Sequence, residues 1–191
     1  EIHQLLPSIK VRRARASDAP VITEIAHRVK INLHAPQEKG FLVYICDESG
    51  YRIRLERSPL CYVAERDGRI VGFLICFDNV VLKELVDDGL MGNEDTTFQF
   101  IRKQKRPFIL GDQLAVLPEY SFQGIGKALM DMLIEDMIER SIMDVYAEIL
   151  HKPVKNNASC NFCTSFGFKF ILEIQNSDGY TWGIYKIGSS S

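Results

Sequence analysis

Leu114-Ala115-Val116-Leu117-Pro118-Glu119-Tyr120-Ser121-Phe122-Gln123-Gly124-Ile125-Gly126-Lys127-Ala128-Leu129 decides how this chain is read. An apolar run ends at Leu117, and Pro118 stops it, because proline cannot donate to a sheet ladder. A glycine-containing loop then leads into the clearest helix of the chain, residues 124–140. Ile125, Ala128, Leu129, Met132, Leu133 and Met137 line up on it as one apolar stripe. The first amides of a helix lack intrahelical partners, and the helix dipole adds to their positive potential. Gly124 and Gly126 have no Cβ, so the backbone can come close to an anion. A strand, a tight loop and a helix start in this order suit a phosphate or pyrophosphate.

Two nucleotide-binding motifs are excluded here. The dinucleotide fingerprint needs a third glycine, but position 129 is Leu129 and the next glycine is Gly167. A P-loop needs a glycine five residues before Gly126, where Ser121 stands, and Ser or Thr after Lys127, where Ala128 stands.

Outward from this stretch, residues 108–117 read as a strand. Residues 61–65 and 70–77 form a hairpin over Asp67-Gly68, a pair suited to a turn with positive φ. Residues 11–14 are a strand candidate. Ser17 is expected to cap a helix carrying Val21, Ile22, Ile25, Ala26 and Val29 at helical spacing, with Asp18 in its first turn. Residues 31–60 are mixed, with short helical pieces and a docking point at Phe41, Leu42 and Val43. Residues 79–107 are polar and read as an insertion, partly helical around 81–90. Downstream come a strand over 142–150 and a helix over 157–166 closed by Gly167 as a left-handed cap. A hairpin of 168–174 with 180–187 follows, and 188–191 is expected to fray. The order β-α-α-β-β-β-α-β-α-β-β, with the insertion after the third strand, predicts a single domain over 1–191. Its class is α/β, a mixed sheet with helices on both faces.

The bulk properties agree with one domain. The chain has 191 residues, 46% hydrophobic and 25% charged, with net charge −2. That charge argues against a non-specific nucleic-acid binder. The basic run Arg102, Lys103, Lys105, Arg106 reads as a solvated face. No apolar run approaches the roughly 20 residues that span a bilayer, and residues 1–10 lack a leader's pattern. Five cysteines, several in apolar runs, suggest reduced thiols and a cytoplasmic location. Cys160 and Cys163 form one C-x-x-C without a second ligand pair, so no metal is expected; a redox pair is the alternative.

The quoted stretch resembles the acetyl-CoA-binding motif of the GNAT N-acetyltransferases, [Q/R]-x-x-G-x-[G/A] after a strand ending V-x-P-x-[Y/F]. Val116, Pro118, Tyr120, Gly124 and Gly126 match, while Ser121 stands at the Gln/Arg position. A second stretch, residues 156–168, resembles the family's N-x-x-A-x-x-F-Y-x-x-x-G-F. Asn156, Phe162, Gly167 and Phe168 match, Ser159 replaces Ala, and Cys163 replaces Tyr. The resemblance spans residues 11–187. It implies the GNAT fold and transfer of an acetyl group from acetyl-CoA to a primary amine of a small molecule or protein, by direct attack in a ternary complex. A non-catalytic CoA-binding regulatory domain of the same fold is the alternative.

By the same resemblance, Leu114, Ala115, Val116, Ser121, Phe122, Gln123, Gly124, Ile125, Gly126, Lys127 and Asn156 hold the donor. Amides near Leu114 and Val116 would face the thioester carbonyl as an oxyanion hole. Phe41, Tyr44 and Trp182 would line the acceptor pocket. Cys163 or water would protonate the departing thiolate. Asp112 is the first candidate base, being two residues before Leu114 and so on the same side of the strand. Near an apolar cleft its pKa would rise; its other reading is a solvated strand end. Glu148, within the strand, and His151, at its end, are further candidates. Homodimers occur in the family, and the insertion could cover the cleft or mediate self-association. The acceptor stays open.

Overall fold

Turn chemistry starts the sheet. In the computed structural model, which describes residues 8–35, 39–92 and 95–188, Cys61–Arg66 (β2) and Arg69–Asp78 (β3) pair antiparallel. Asp67 and Gly68 join them at φ 54° and 76°, the left-handed pair a two-residue turn requires. Lys10–Arg13 (β1) pairs with the outer edge of β2, and Phe108–Val116 (β4) lies antiparallel to β3. Ile125–Arg140 (α5) crosses over to Asp144–Lys152 (β5), which runs parallel to β4. Asn157–Phe166 (α6) leads to the hairpin of Lys169–Gln175 (β6) and Thr181–Ile187 (β7). The strand order is β1-β2-β3-β4-β5-β7-β6.

One irregularity shapes the centre of this sheet. Ile75 pairs with Gln113 and Cys76 with Gly111, so Asp112 is an extra residue on β4. A bulge of this kind bends its strand and increases the twist. The β4–β5 ladder spans only Phe108 to Gly111 against Asp144 to Ala147. Beyond it, both strands continue and part, leaving a V-shaped gap between residues 112–116 and 148–150. A second irregularity on β5, between Leu150 and Lys152, leaves His151 as the extra residue there.

Helices cover both faces. Ala19–Val29 (α1) and Glu48–Arg57 (α2) take one: Tyr51 of α2 sits edge-on to Phe73 and donates its hydroxyl to Gln113 at 2.8 Å. Helix α5 takes the other, and its buried Asp136 accepts from Tyr62 of β2 at 2.5 Å and from Arg13 of β1 at 2.6 Å. Ser17 does not cap α1 as expected. Residues Ala16–Asp18 form a 3-10 turn, and α1 starts at Ala19 with Pro20 in its first turn, where a missing N–H does no harm. The turn is set by Asp18, whose carboxylate receives Arg12 at 2.8 and 2.9 Å and the amide of Arg15 at 2.7 Å.

The insertion holds two helices, Asn79–Asp87 (α3) and Thr96–Arg102 (α4), capped by Asp78 and Asp95. Only the first is legible in its residue pattern. In the basic run that begins at the last residue of α4, Arg102 approaches Asp87 at 3.6 Å and Arg106 approaches Asp144 at 3.2 Å. No helix among the described residues is long and apolar enough to cross a membrane. The expectations for residues 1–7 and 189–191 lie outside the described residues.

Candidate active site

The loop after β4 and the start of α5 make the first half of the site. Gly124 caps α5 at φ 81°, a conformation natural to glycine. Intrahelical bonding begins with the Ala128 amide on the Gly124 carbonyl at 3.0 Å, so the amides of Ile125, Gly126 and Lys127 face out of the helix end. At Gly126 an added Cβ would meet the Phe162 ring at 3.2 Å; the bare backbone lets α6 pack against the helix start. A cavity of about 540 Å³ opens here, walled by Val116, Tyr120, Ser121, Lys127, Phe166 and Lys39. Its size is that of a small-molecule site.

The second half lies across the V-shaped gap. Leu117 donates its amide to Val71 of β3 at 2.8 Å. Amides alternate between the two edges of a strand, so those of Leu114 and Val116 face away from β3, into the gap. A second cavity of about 490 Å³ lies on the α2 side, walled by Tyr44, Arg54, Asp112, Glu148, Asp178 and Trp182, among others. The two cavities share Phe41, Leu114, Ser159 and Phe162 as walls. A molecule in each would meet at that junction.

Two carboxyl groups in the second cavity hold protons unusually well. Burial raises Asp112 to about 6, Arg54 works against this, and Asp95 adds to it. Burial also pushes Glu148 well above the ordinary range, reinforced by the charges of Asp95, Asp112 and Asp178. Glu148 Oε2 is buried and has no hydrogen-bond partner among the described residues; the Thr97 hydroxyl is near, outside good bonding geometry. A cleft carboxyl group with raised proton affinity is poised to take up a proton near neutral pH.

Residues 29–168 match the model of the acetyltransferase (GNAT) family. The chain belongs to the GNAT family. Membership carries acetyl transfer from acetyl-CoA to an amine, the activity of its N-acetyltransferases. The fold agrees with solved GNAT structures. The ribosomal-protein-S18-alanine N-acetyltransferase of Escherichia coli superposes with TM-score 0.64 at 18% identity, covering 96% of each chain. The PaiA N-acetyltransferase of Thermoplasma acidophilum, in complex with coenzyme A, gives 0.64 at 16%, covering 95% of this chain and 99% of that one. YncA of Salmonella typhimurium, a putative acetyltransferase with its cofactor acetyl-CoA, gives 0.63 at 18%, with 96% and 95% covered. A sequence comparison with curated proteins finds no match.

The GNAT motif residues divide once placed. Leu114, Ala115, Val116, Ser121, Phe122, Gly124, Ile125, Gly126 and Lys127 line the cavity at the helix start. Gln123 does not; its side chain accepts from Arg66 on the surface. Lys127 pairs with Asp131 at 2.9 Å. Asn156, expected to contact the donor, lines the acceptor-side cavity and is also held by the backbone. Its carbonyl oxygen caps α6 at Ser159 N–H, 3.2 Å, and its amide donates to Phe41 O at 3.0 Å. Phe41, Tyr44 and Trp182 do line the acceptor-side cavity. Asp112 lies there too, but not by two-residue alternation with Leu114. The bulge resets that alternation, and Asp112 feels Arg54 of α2.

Cys163 also lines this cavity, and burial pushes its thiol up to about 12. His151 lines neither cavity. It is held by Glu173 at 2.6 Å and the Tyr185 hydroxyl at 2.8 Å, and that hydroxyl also approaches Cys160 Sγ at 3.3 Å. The residue pattern did not single out Lys39, Arg54, Asp95 or Asp178. They reach the site from loops and helix ends, and no periodicity marks them.

Proposed function

We propose that acetyl-CoA binds along the loop from Ser121 to Lys127 and that the acceptor amine enters the acidic cavity from the α2 side. The amides of Ile125, Gly126 and Lys127 take the pyrophosphate, and Lys39 supplies a cation on the wall where Ser121 replaces the family's longer polar side chain. The thioester then lies in the gap, its carbonyl oxygen toward the Leu114 and Val116 amides, donors aimed where negative charge develops. The amine nitrogen attacks the carbonyl carbon, the C–S bond breaks, and CoA leaves as a thiolate. Glu148, assisted by Asp112, takes the proton lost by the nitrogen. Holding both reactants at one junction supplies much of the remaining rate.

The observation that carries this reading is the pair of proton-holding carboxyl groups in the acceptor-side cavity, which shares walls with the cavity at the helix start. Cys163 is not assigned as the acid. A thiol pushed up to about 12 by burial is a far weaker acid than an ordinary cysteine thiol at about 8.5, and so is poorly suited to protonate a departing thiolate. Water protonates the thiolate instead.

Two measurements test this. Calorimetry with acetyl-CoA is expected to give micromolar binding that Gly124→Glu abolishes. Thiol release in the presence of primary amines is expected to be steady and amine-dependent. Binding without amine-dependent thiol release would favour a regulatory domain and overturn the catalytic assignment.

A further inference from the structure

The acceptor-side cavity is uneven in charge. Asp95, Asp112, Glu148 and Asp178 line it, and Arg54 is the one basic residue among its described lining residues. Arg54 directs two donors away from them, to the carbonyls of Gly50 at 2.9 Å and Leu90 at 2.8 Å. Asp112 and Glu148 sit at the gap. The other two carboxylates come from different elements and are held together. Asp95, at the start of α4, accepts from Asn176 at 3.1 Å, and Asn176 also accepts from the Thr97 amide at 3.2 Å. Asn176 opens the β6–β7 turn that carries Asp178.

Asp178 is a built anionic site. Its Oδ2 accepts from the Tyr44 hydroxyl at 2.6 Å and from Trp182 Nε1 at 3.1 Å, and its Oδ1 from the Tyr180 amide at 2.7 Å. The Tyr44 and Trp182 rings are stacked, centroids 6.2 Å apart. A fixed carboxylate beside two aromatic rings is what an ammonium or guanidinium group binds. A separate observation points to the same kind of ligand. Glu148 lines the cavity, and its Oε2 is buried without a hydrogen-bond partner among the described residues, the Thr97 hydroxyl being the near donor. Such atoms are costly unless a donor reaches them, and a cationic nitrogen in the cavity would be that donor for Glu148. The four carboxylates come from four separate segments. Among the described residues no group of three or more His, Cys, Asp or Glu is placed to hold a metal ion.

We propose that the acceptor is a small linear amine with a second positive charge, a diamine or guanidino-amine. One nitrogen reacts beside Glu148, and the other is held by Asp178 and Asp95 next to Tyr44 and Trp182. This rests on the assignment of this cavity to the acceptor. The products are an amide on the reacting nitrogen and free CoA, and the distal cation is unchanged.

The test is thiol release with acetyl-CoA and four acceptors: butane-1,4-diamine, agmatine, butylamine and a short peptide with a free N-terminus. The dications are expected to exceed butylamine and the peptide at least tenfold in kcat/KM. Asp178→Asn is expected to bring the ratio of diamine to butylamine toward one. Asp95→Asn, which keeps a residue able to cap α4, is the second variant should the first fail to fold. Calorimetry with acetyl-CoA and thermal melts check the integrity of both. Equal rates for diamine and butylamine, or a preference for the peptide, would overturn this inference and leave acetyl transfer standing. Acetyl-CoA binding with no turnover of any amine would remove the catalytic reading and this one with it.

Discussion

At the scale of single residues, the chemistry depends on where protons rest. Burial raises the proton affinity of both Asp112 and Glu148, and the charge of Asp112 raises that of Glu148 further. An amine acetylated by this pair needs it deprotonated. kcat/KM should therefore rise with pH along a limb at or above about 6, where Asp112 titrates. Glu148→Gln is expected to lower kcat by roughly 10²–10⁴-fold, the usual span for a lost general base. Asp112→Asn removes a negative neighbour, and the acid limb should move to lower pH. An unmoved limb would separate the two groups. Cys163→Ala should keep kcat within about threefold, because a lost general acid would cost 10²-fold or more. Gly124→Glu meets no neighbour at its Cβ, so its damage comes from backbone strain at φ 81° and from negative charge beside the bound phosphates. At least about 100-fold weaker acetyl-CoA binding is expected, close to 2.8 kcal/mol.

At the scale of elements, helix α5 has to be held so that its first turn meets the loop. Its apolar stripe was plain in the residue spacing, and Leu129 and Leu133 are fully buried. The polar clamp was not. Asp136 lies buried on that helix and takes the Tyr62 hydroxyl and the Arg13 guanidinium from two strands far away in the chain. Asp136→Ala would leave the Tyr62 hydroxyl buried and unpaired. Denaturant unfolding should show a loss of roughly 1–3 kcal/mol. Acetyl-CoA binding measured well below the melting temperature should persist, since the loop itself is untouched. The Asp112 bulge is a second device at this scale. One extra residue on β4 both ends the parallel ladder and turns a carboxyl group toward α2.

At the scale of the whole molecule, the site opposes stability. Asp112 holds its proton to about 6 in the folded chain against an ordinary 3.8, and Glu148 is raised in the same direction. The folded state therefore keeps protons that the unfolded chain has released. What these groups contribute to stability is complete below the unfolded pKa and is lost as pH rises through the folded one. The double variant Asp112→Asn, Glu148→Gln is expected to melt higher than the parent at pH 8, with the difference shrinking toward pH 4. Scanning calorimetry at the two pH values checks this. A difference between variant and parent that is the same at both pH values would refute the assigned proton affinities.

The fold was legible because its decisive signals are local. Asp67-Gly68, the stripe on residues 124–140, Gly124 and Gly167 each act through neighbours a few positions away, and the structure places each where its backbone preference requires. The start of α1 was misread because Arg12 takes Asp18, and the bond from the Asn156 amide to Phe41 O spans 115 positions that no local pattern reveals. Asp112 and Glu148 were named as candidate bases, but their meeting with Asp95 and Asp178 in one acidic cavity was out of reach for the same reason. Asp95, Asp112, Glu148 and Asp178 lie on four separate segments, and nothing in their spacing along the chain relates them. By itself, the sequence determined the family fold and the cofactor loop, since short-range backbone conformation specifies both. Only the tertiary structure decided which carboxylates share a low-dielectric cleft, because burial and mutual repulsion arise once the strands have parted.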